Sequence, residues 1–572
     1  MVAIEIECRA CHARRPLTTP SPTCPHCGGQ WAEARYQWIE PADKEAVDSW
    51  TAVLARRGAS LWRYRELLPI GHAENIITLG EGWTPLLRAH NLGQMLGHHH
   101  IYIKDERQGP TGSFKDRQAA IAVSAMKEAG VTEAVVASTG NVAIAYSAYC
   151  ARAGIKLWAF VTSSVPADKM REVALYGSEV IKVAGTYDQA KQIAAEFAAS
   201  KNLFLDQGIK VIATKEAMKT IAFETAEQLG SLLAGDDPTI PHGNRHPWRA
   251  PNWYLQAISG GMGPVGVMKG FTELYDMGLT GRIPQLACFQ SSGCAPMAEA
   301  FRQGARQAEA VLNPLTDITT LATGIPGEAY EVLFDLLAAH GGVIEAIPDA
   351  DTFHALHTVA KMDGISVEPA TAVAFAGLFK LVRNGVIAPH ETVVINCSGH
   401  TFPVEKHIIG DQYTRNMAPV NGQGAPAGAA TSGREEGLLT ALEEMDNRVQ
   451  RVAIIEDNPD AARLIRRILQ AQGDFFIDEA NNGLDGLRLI QQVRPNLVIL
   501  DLMMPGLDGF GIVEAMKTNP TLHEIPIIVV TAKELSPIER QRLDGKIKAL
   551  LQKGSFLDSD LLSDIKQALP QT

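Results

Sequence analysis

Nothing in this chain approaches the run of roughly 20 apolar residues that crosses a bilayer. The opening, Met1-Val2-Ala3-Ile4-Glu5-Ile6-Glu7, lacks the basic flank and apolar core of an export signal. A cytoplasmic protein without membrane association is the expectation. Positive charge is in deficit: 52 Lys and Arg stand against 64 Asp and Glu, a net charge of −12. That balance excludes a broad nucleic-acid surface. Cysteine is scarce, with eight residues unevenly placed. Cys150, Cys288, Cys294 and Cys397 are scattered through apolar stretches and read as ordinary buried thiols. What is present is a globular composition, 46% hydrophobic and 20% charged, in 572 residues. That length is too great for one core, and about three or four domains are expected.

The other cysteines crowd the N-terminus. Cys8-x-x-Cys11 and Cys24-Pro25-His26-Cys27-Gly28-Gly29 form two knuckles separated by twelve residues. Each turn presents two thiolates, and two turns complete a closed tetrahedral shell for structural Zn²⁺. Two disulfides are the alternative, which a reducing compartment disfavours. From Ala42 to Leu68 the spacing of Trp50, Leu54, Leu61 and Leu67 predicts a helical connector. Apolar runs such as Ile101-Tyr102-Ile103, Ala134-Val135-Val136-Ala137 and Trp253-Tyr254-Leu255 then alternate with helical patterns, an α/β class with parallel sheets. Residues 235–252, rich in Pro and His, read as a surface loop. Near Asn416 the composition turns to Gly, Ala, Pro, Ser and Asn, a flexible linker, and a new α/β pattern begins at Arg451. The expected domains are 1–40, a zinc ribbon; 41–412, catalytic; 413–447, the linker; and 448–572, a terminal module.

Chemistry concentrates in a few turns. Gly112-Ser113-Phe114-Lys115-Asp116-Arg117 sets a lysine between an aromatic and an Asp-Arg pair. Ser138-Thr139-Gly140-Asn141 follows a strand and opens a helix, so its hydroxyls and N–H groups suit an anion. Ser259-Gly260-Gly261-Met262-Gly263-Pro264 lets backbone N–H groups close around a phosphate. It lacks the Lys-Ser/Thr of a nucleotide P-loop. Asn396-Cys397-Ser398-Gly399-His400 ends an apolar strand, while Gly80-Glu81-Gly82-Trp83-Thr84-Pro85-Leu86 and Val367-Glu368-Pro369-Ala370-Thr371-Ala372 flank the series.

In this order the segments resemble those of the β-family, fold-type II pyridoxal-phosphate enzymes, and among them the threonine synthases, several of which carry a similar zinc ribbon. The resemblance implies two parallel-sheet subdomains, pyridoxal 5'-phosphate as cofactor, a small amino-acid substrate and a homodimer. It implies that Lys115 is the Schiff-base lysine and general base. It assigns Ser138 and Thr139 to the substrate carboxylate and Asn141 to the cofactor's phenolic oxygen. Gly260, Gly261, Met262 and Gly263 fall on the cofactor phosphate, and Ser398 on the pyridine nitrogen. A neutral Ser398 there suits elimination and replacement more than transamination.

The substrate segment departs from the family. Its arginine position holds Thr214, with Lys215 beside it as a possible but non-bidentate substitute. Threonine synthesis from O-phosphohomoserine is the first expectation. A β-eliminating ammonia-lyase on serine, threonine or diaminopropionate is the enzymatic alternative, and a non-catalytic ligand sensor is another.

In the terminal module, strands end at Glu456-Asp457, at Asp501 and at Thr531, and Lys553 lies further on. Carboxylates at neighbouring strand ends make a pocket for a hard divalent cation. The pattern resembles a response-regulator receiver with a flavodoxin-like fold. It implies Mg²⁺ at Glu456, Asp457 and Asp501, phosphorylation of Asp501, contacts from Thr531 and Lys553, and a histidine kinase or phosphotransfer protein as donor. Leu550 at the usual aromatic switch position and Gly554 in place of a proline are departures.

Overall fold

The computed structural model describes residues 4–17, 23–36, 43–138, 140–162, 165–400, 450–472, 475–533 and 535–552. Thr139, Lys553, Gly554 and the expected linker lie outside the described residues. The chain divides into two compact units; the stretches His90–His99 and His357–Ile365 group with the second. Among the described residues no helix is long and apolar enough to cross a membrane.

Among its described residues the first unit holds three sheets. A small antiparallel sheet orders Arg14–Pro16, Ile4–Cys8 and Ala32–Tyr36, with Ile6 opposite Ala34. A six-stranded sheet orders Gly342–Ile347, Gln285–Ser291, Trp253–Ala257, Val393–Cys397, Ile101–Asp105 and Leu86–Arg88. All its neighbours are parallel except the last pair. A four-stranded parallel sheet orders Glu179–Val183, Lys156–Thr162, Glu133–Ser138 and Phe204–Leu205. The two larger sheets match the expected pair of parallel subdomains. Ile101–Asp105 and Val393–Cys397 are buried at every residue, because helices cover both faces of a parallel sheet.

The helix Ile212–Ala234 is buried along its whole circumference from Ile212 to Ser231, although it carries Lys215, Glu216, Lys219, Glu224 and Glu227. The helix Met262–Asp276 packs on it through Gly266 and Gly270. A Cβ on Gly266 would lie 2.5 Å from the Lys215 carbonyl oxygen, and one on Gly270 would lie 2.6 Å from that of Lys219. Backbone contact this close admits only glycine.

One sequence expectation is corrected. The connector is not one helix: Lys44–Leu54 ends at Ala55, and a 3₁₀ segment resumes at Leu61–Leu67. The stretch 235–252 is irregular and largely exposed over 235–240, as a surface loop is, but it is pinned to the core further on. Trp248 is buried against Trp50 and Tyr64, and the N–H groups of His242 and Gly243 donate to Glu227 Oε1 at 2.9 and 2.7 Å. Satisfied backbone is what allows irregular chain into a core.

In the second unit a parallel sheet orders Phe475–Ala480, Gln450–Ile455, Leu497–Leu500, Ile527–Thr531 and Ala549–Gln552. The helices Pro459–Gln472, Gly483–Val493, Gly509–Thr518 and Pro537–Leu543 connect these strands. This is the flavodoxin-like order, in which carboxyl ends of adjacent strands frame a crevice.

Candidate active site

Backbone pairing gathers the expected segments. Phe114 N donates to Ser398 O at 3.0 Å, His400 N to Gly112 O at 3.0 Å, and Glu368 N to Gly399 O at 3.1 Å. Gly399 abuts the Glu368 carboxylate: a Cβ there would lie 2.4 Å from Glu368 Oε1 and displace that side chain. The helix Lys115–Glu128 therefore starts beside Ser398, with Lys115 at its first residue. Lys115 lines a cavity of about 610 Å³ shared with Ser138, Asn141, Gly260, Glu368 and Ser398. Gly261, Met262 and Gly263 line it as well. Glu81 does not; it is buried elsewhere, accepting from Trp62 Nε1 and the Tyr149 hydroxyl, both at 2.7 Å.

Lys115 is half-buried, and its Nζ lies 4.2 Å from the Phe114 ring centroid. Burial pushes its pKa down to about 8, against the opposing pull of Glu368 and Asp206. Its helix is anchored by Arg117, which is 1% exposed. The guanidinium reaches Glu106 at 2.7 and 2.8 Å and Glu224 at 2.6 and 2.7 Å. Lys104 joins Glu224 at 2.9 Å, and Gln228 and the Thr84 carbonyl close the set. Burial opposes ionisation of Glu224, but the Arg117 and Lys104 charges prevail and hold its pKa low.

Opposite Lys115, Asn141 Nδ2 donates to Glu368 Oε2 at 2.9 Å, and Lys169 Nζ donates to Asn141 Oδ1 at 3.2 Å. The Ser138 hydroxyl accepts from the N–H groups of Gly140 and Ala143 at 2.9 and 3.0 Å, so it caps the helix while lining the cavity. The Ser398 hydroxyl pairs with that of Thr371 at 2.7 Å. At the glycine turn, Gly261 has φ +78° and opens the helix Met262–Asp276. A Cβ on Gly263 would lie 2.3 Å from Gln256 Nε2, while one on Gly260 would meet nothing within 4 Å.

The cysteine knuckles are preassembled. Cys8 and Cys27 Sγ lie 3.6 Å apart, Cys11 and Cys24 Sγ 3.8 Å, and all four sulfurs lie within 4.8 Å of one another as free thiols. Tetrahedral zinc with Zn–S bonds of about 2.3 Å requires S–S edges of about 3.8 Å, so the donor set fits that ion. In the second unit the carboxylates of Glu456, Asp457 and Asp501 come within 4.8 Å of one another, a set of hard oxygen donors that suits Mg²⁺. Glu456, Asp501 and Thr531 are buried at the ends of their strands.

The family model described as pyridoxal-phosphate dependent enzyme matches residues 77–399, more than half of the chain. The chain belongs to that family. A second family model, the response regulator receiver domain, matches residues 452–566. The pyridoxal-phosphate enzyme is 34% identical over 379 residues to threonine synthase of Methanocaldococcus jannaschii, spanning 66% of this chain and 87% of the relative. It is 32% identical over 351 residues to that of Methanosarcina acetivorans, spanning 61% and 82%. Among solved structures, threonine deaminase isoform 2 from Solanum lycopersicum overlaps with a TM-score of 0.48 at 18% identity, covering 64% of this chain and 87% of its own. Diaminopropionate ammonia lyase from Escherichia coli gives 0.49 at 13%, covering 71% and 96%. The protein is thus a threonine synthase-like pyridoxal-phosphate enzyme with a C-terminal receiver domain.

The cavity fits the cofactor. It offers a half-buried amine, a hydroxyl, and a glycine turn at a helix N-terminus whose open side at Gly260 leaves room for a phosphate. Several lining or adjoining residues were absent from the sequence reading: Lys169, Asp206, Tyr146 and Gln118. Lys169, Asp206 and Tyr146 lie outside the motif runs, and Gln118 lies just past the Lys115 run; the fold brings them to the cavity. Lys215 goes the other way. Its Nζ donates to the Ala32 carbonyl at 2.7 Å and to Glu33 at 2.8 Å, stacked over Trp31, so it does not replace the missing arginine.

Proposed function

We propose that the enzyme converts O-phospho-L-homoserine and water to L-threonine and phosphate. The observation that carries this reading is the convergence of Lys115, the glycine turn and the Ser398 hydroxyl on one cavity, in a chain similar to threonine synthases over most of their length. Pyridoxal phosphate, when bound, withdraws electrons from the substrate's α-carbon and so acidifies its α-hydrogen. Lys115 anchors the cofactor and then moves the α-proton as a free amine, a role that its lowered pKa favours. The N–H groups at Gly260, Gly261, Met262 and Gly263 would hold the cofactor's phosphate, Asn141 would meet its phenolic oxygen, and Ser398 would face its ring nitrogen as a neutral partner. Ser138 and its neighbour Thr139 receive the substrate carboxylate.

Cys8, Cys11, Cys24 and Cys27 hold a structural zinc. Glu456, Asp457 and Asp501 hold Mg²⁺, Asp501 accepts the phosphoryl group from a kinase or phosphotransfer protein, and Thr531 and Lys553 contact it. The phosphorylation state of Asp501 sets turnover.

One observation favours a second reading, β-elimination from serine, threonine or diaminopropionate. Thr214 donates to Asp206 at 3.0 Å and Lys215 donates to Ala32 and Glu33, so the segment 211–220 presents no cation to the cavity, and Lys210 just before it lines the wall but donates to Gln30. Separate incubations of the holoenzyme with O-phosphohomoserine, serine and threonine discriminate. Threonine and phosphate from the first alone support synthesis; ammonia from the others contradicts it.

A further inference from the structure

Asp206 belongs to no motif in the sequence, yet it is built into the cavity wall just past the strand Phe204–Leu205. Its Oδ1 accepts from Gly208 N at 2.6 Å. Its Oδ2 accepts from the Tyr146 hydroxyl at 2.6 Å and from the Thr214 hydroxyl at 3.0 Å. Tyr146 accepts in turn from Gln118 Nε2 at 3.2 Å. Gln118 is 3% exposed, lines the cavity, and its Oε1 has no hydrogen-bond partner among the described residues. A buried acceptor left open beside a carboxylate is arranged for a small donor such as water or a hydroxyl. The charged and titratable groups that face Asp206 are Lys115 from one helix, Tyr146 and Cys150 from Asn141–Ala153, and Tyr187 from Tyr187–Lys201. Burial raises the pKa of Asp206, and the two hydroxyls, the Gly208 N–H and Lys115 only partly offset it.

We propose that Asp206 carries the proton for the oxygen at the substrate's β-carbon, while Lys115 serves the α-carbon. The proposal rests on the amino-acid substrate reading above, but it holds for synthesis and for dehydration alike. For a β-hydroxy amino acid, Lys115 takes the α-proton, and the α C–H electron pair becomes the α,β double bond. Asp206 gives its proton to the hydroxyl, and the β C–O bond breaks with its pair leaving on water. Hydration is the reverse: a water oxygen bonds the β-carbon and its proton returns to the Asp206 carboxylate. Nothing is oxidised or reduced, and a single group is not asked to handle both carbons.

The test uses the full-length holoenzyme and L-threonine in isotopic water. α-Hydrogen exchange is read by NMR in D₂O; β C–O cleavage is read as ¹⁸O entry into the hydroxyl plus 2-keto acid release. In Asp206→Asn the cofactor absorbance and α-exchange persist, while β C–O cleavage falls by about 10²-fold or more. Unchanged β C–O cleavage overturns the proposal, as does an equal fall in both rates. If Asp206→Asn fails to hold the cofactor, Thr214→Val decides. Losing a donor to the carboxylate raises its pKa, so the pH limb that β C–O cleavage has and α-exchange lacks moves to higher pH; an unmoved limb contradicts the assignment. Failure of the substrate reading is distinct, because it appears already in the unsubstituted enzyme as no β C–O cleavage and no threonine formed.

Discussion

At Lys115 the deciding quantity is a proton. Capture of an aldehyde cofactor requires the neutral amine, and a pKa of about 8 leaves about a tenth of Lys115 neutral at pH 7, against well under a thousandth for an ordinary lysine. Reconstitution of the cofactor-free enzyme should therefore accelerate up to about pH 8 and level off there, followed by the growth of cofactor absorbance. A rate still rising steeply above pH 9 contradicts the shift. Gly261 makes a second residue-scale demand. Its φ of +78° costs an L-residue about 1–2 kcal/mol, and a Cβ would lie 2.9 Å from Leu333 Cδ1. Gly261→Ala should lower the melting temperature of the holoenzyme, measured by calorimetry, whereas an unchanged value contradicts the strain. Lys115, Asn141 and Ser398 were legible because each sits in a short run with its own turn chemistry. Asp206 and Gln118 were not: Asp206 sits in no motif, Gln118 falls just past one, and Tyr146, which links them, is 60 and 28 residues away. Lys215 was misleading for the same reason: the sequence shows a cation beside Thr214 but not which way the helix turns it.

Arg117 shows what holds an element in place. The first residue of the helix Lys115–Glu128 is set by a guanidinium two positions on, locked between Glu106 and Glu224. Removing one partner from a buried ionic set costs about 3–5 kcal/mol, because the others stay buried without compensation. Arg117→Met should lower the unfolding free energy, obtained from denaturant titration followed at the cofactor absorbance, by an amount in that range; a change under 1 kcal/mol (roughly that of an exposed ion pair) would falsify the lock. The alternation of strands and helices was readable from hydrophobic runs, as the buried strands Trp253–Ala257 and Val393–Cys397 bear out. The role of the helix Ile212–Ala234 was not. It has no polar stripe facing solvent, since its lysines and glutamates are neutralised inside the protein, and periodicity carries no signal for that arrangement.

Across the first unit, the cysteine-bearing N-terminal segment reaches the catalytic cavity. Trp31, which follows the second cysteine knuckle, lines the cavity, and Gln30 accepts from Lys210 of the cavity wall at 2.5 Å. Cys11→Ser should therefore abolish zinc retention by elemental analysis and also perturb the absorbance of bound cofactor; zinc loss with an unaltered cofactor spectrum contradicts the link. For the receiver, acetyl phosphate with Mg²⁺ should label the full chain, and Asp501→Asn should abolish the label. If labelling leaves turnover unchanged, the receiver does not govern the enzyme. The account as a whole depends on one bond at one lysine. Borohydride reduction of the holoenzyme followed by peptide mass mapping reads it directly. The account predicts a phosphopyridoxyl group on the ε-amine of Lys115; a group fixed on another lysine, or none at all, contradicts it.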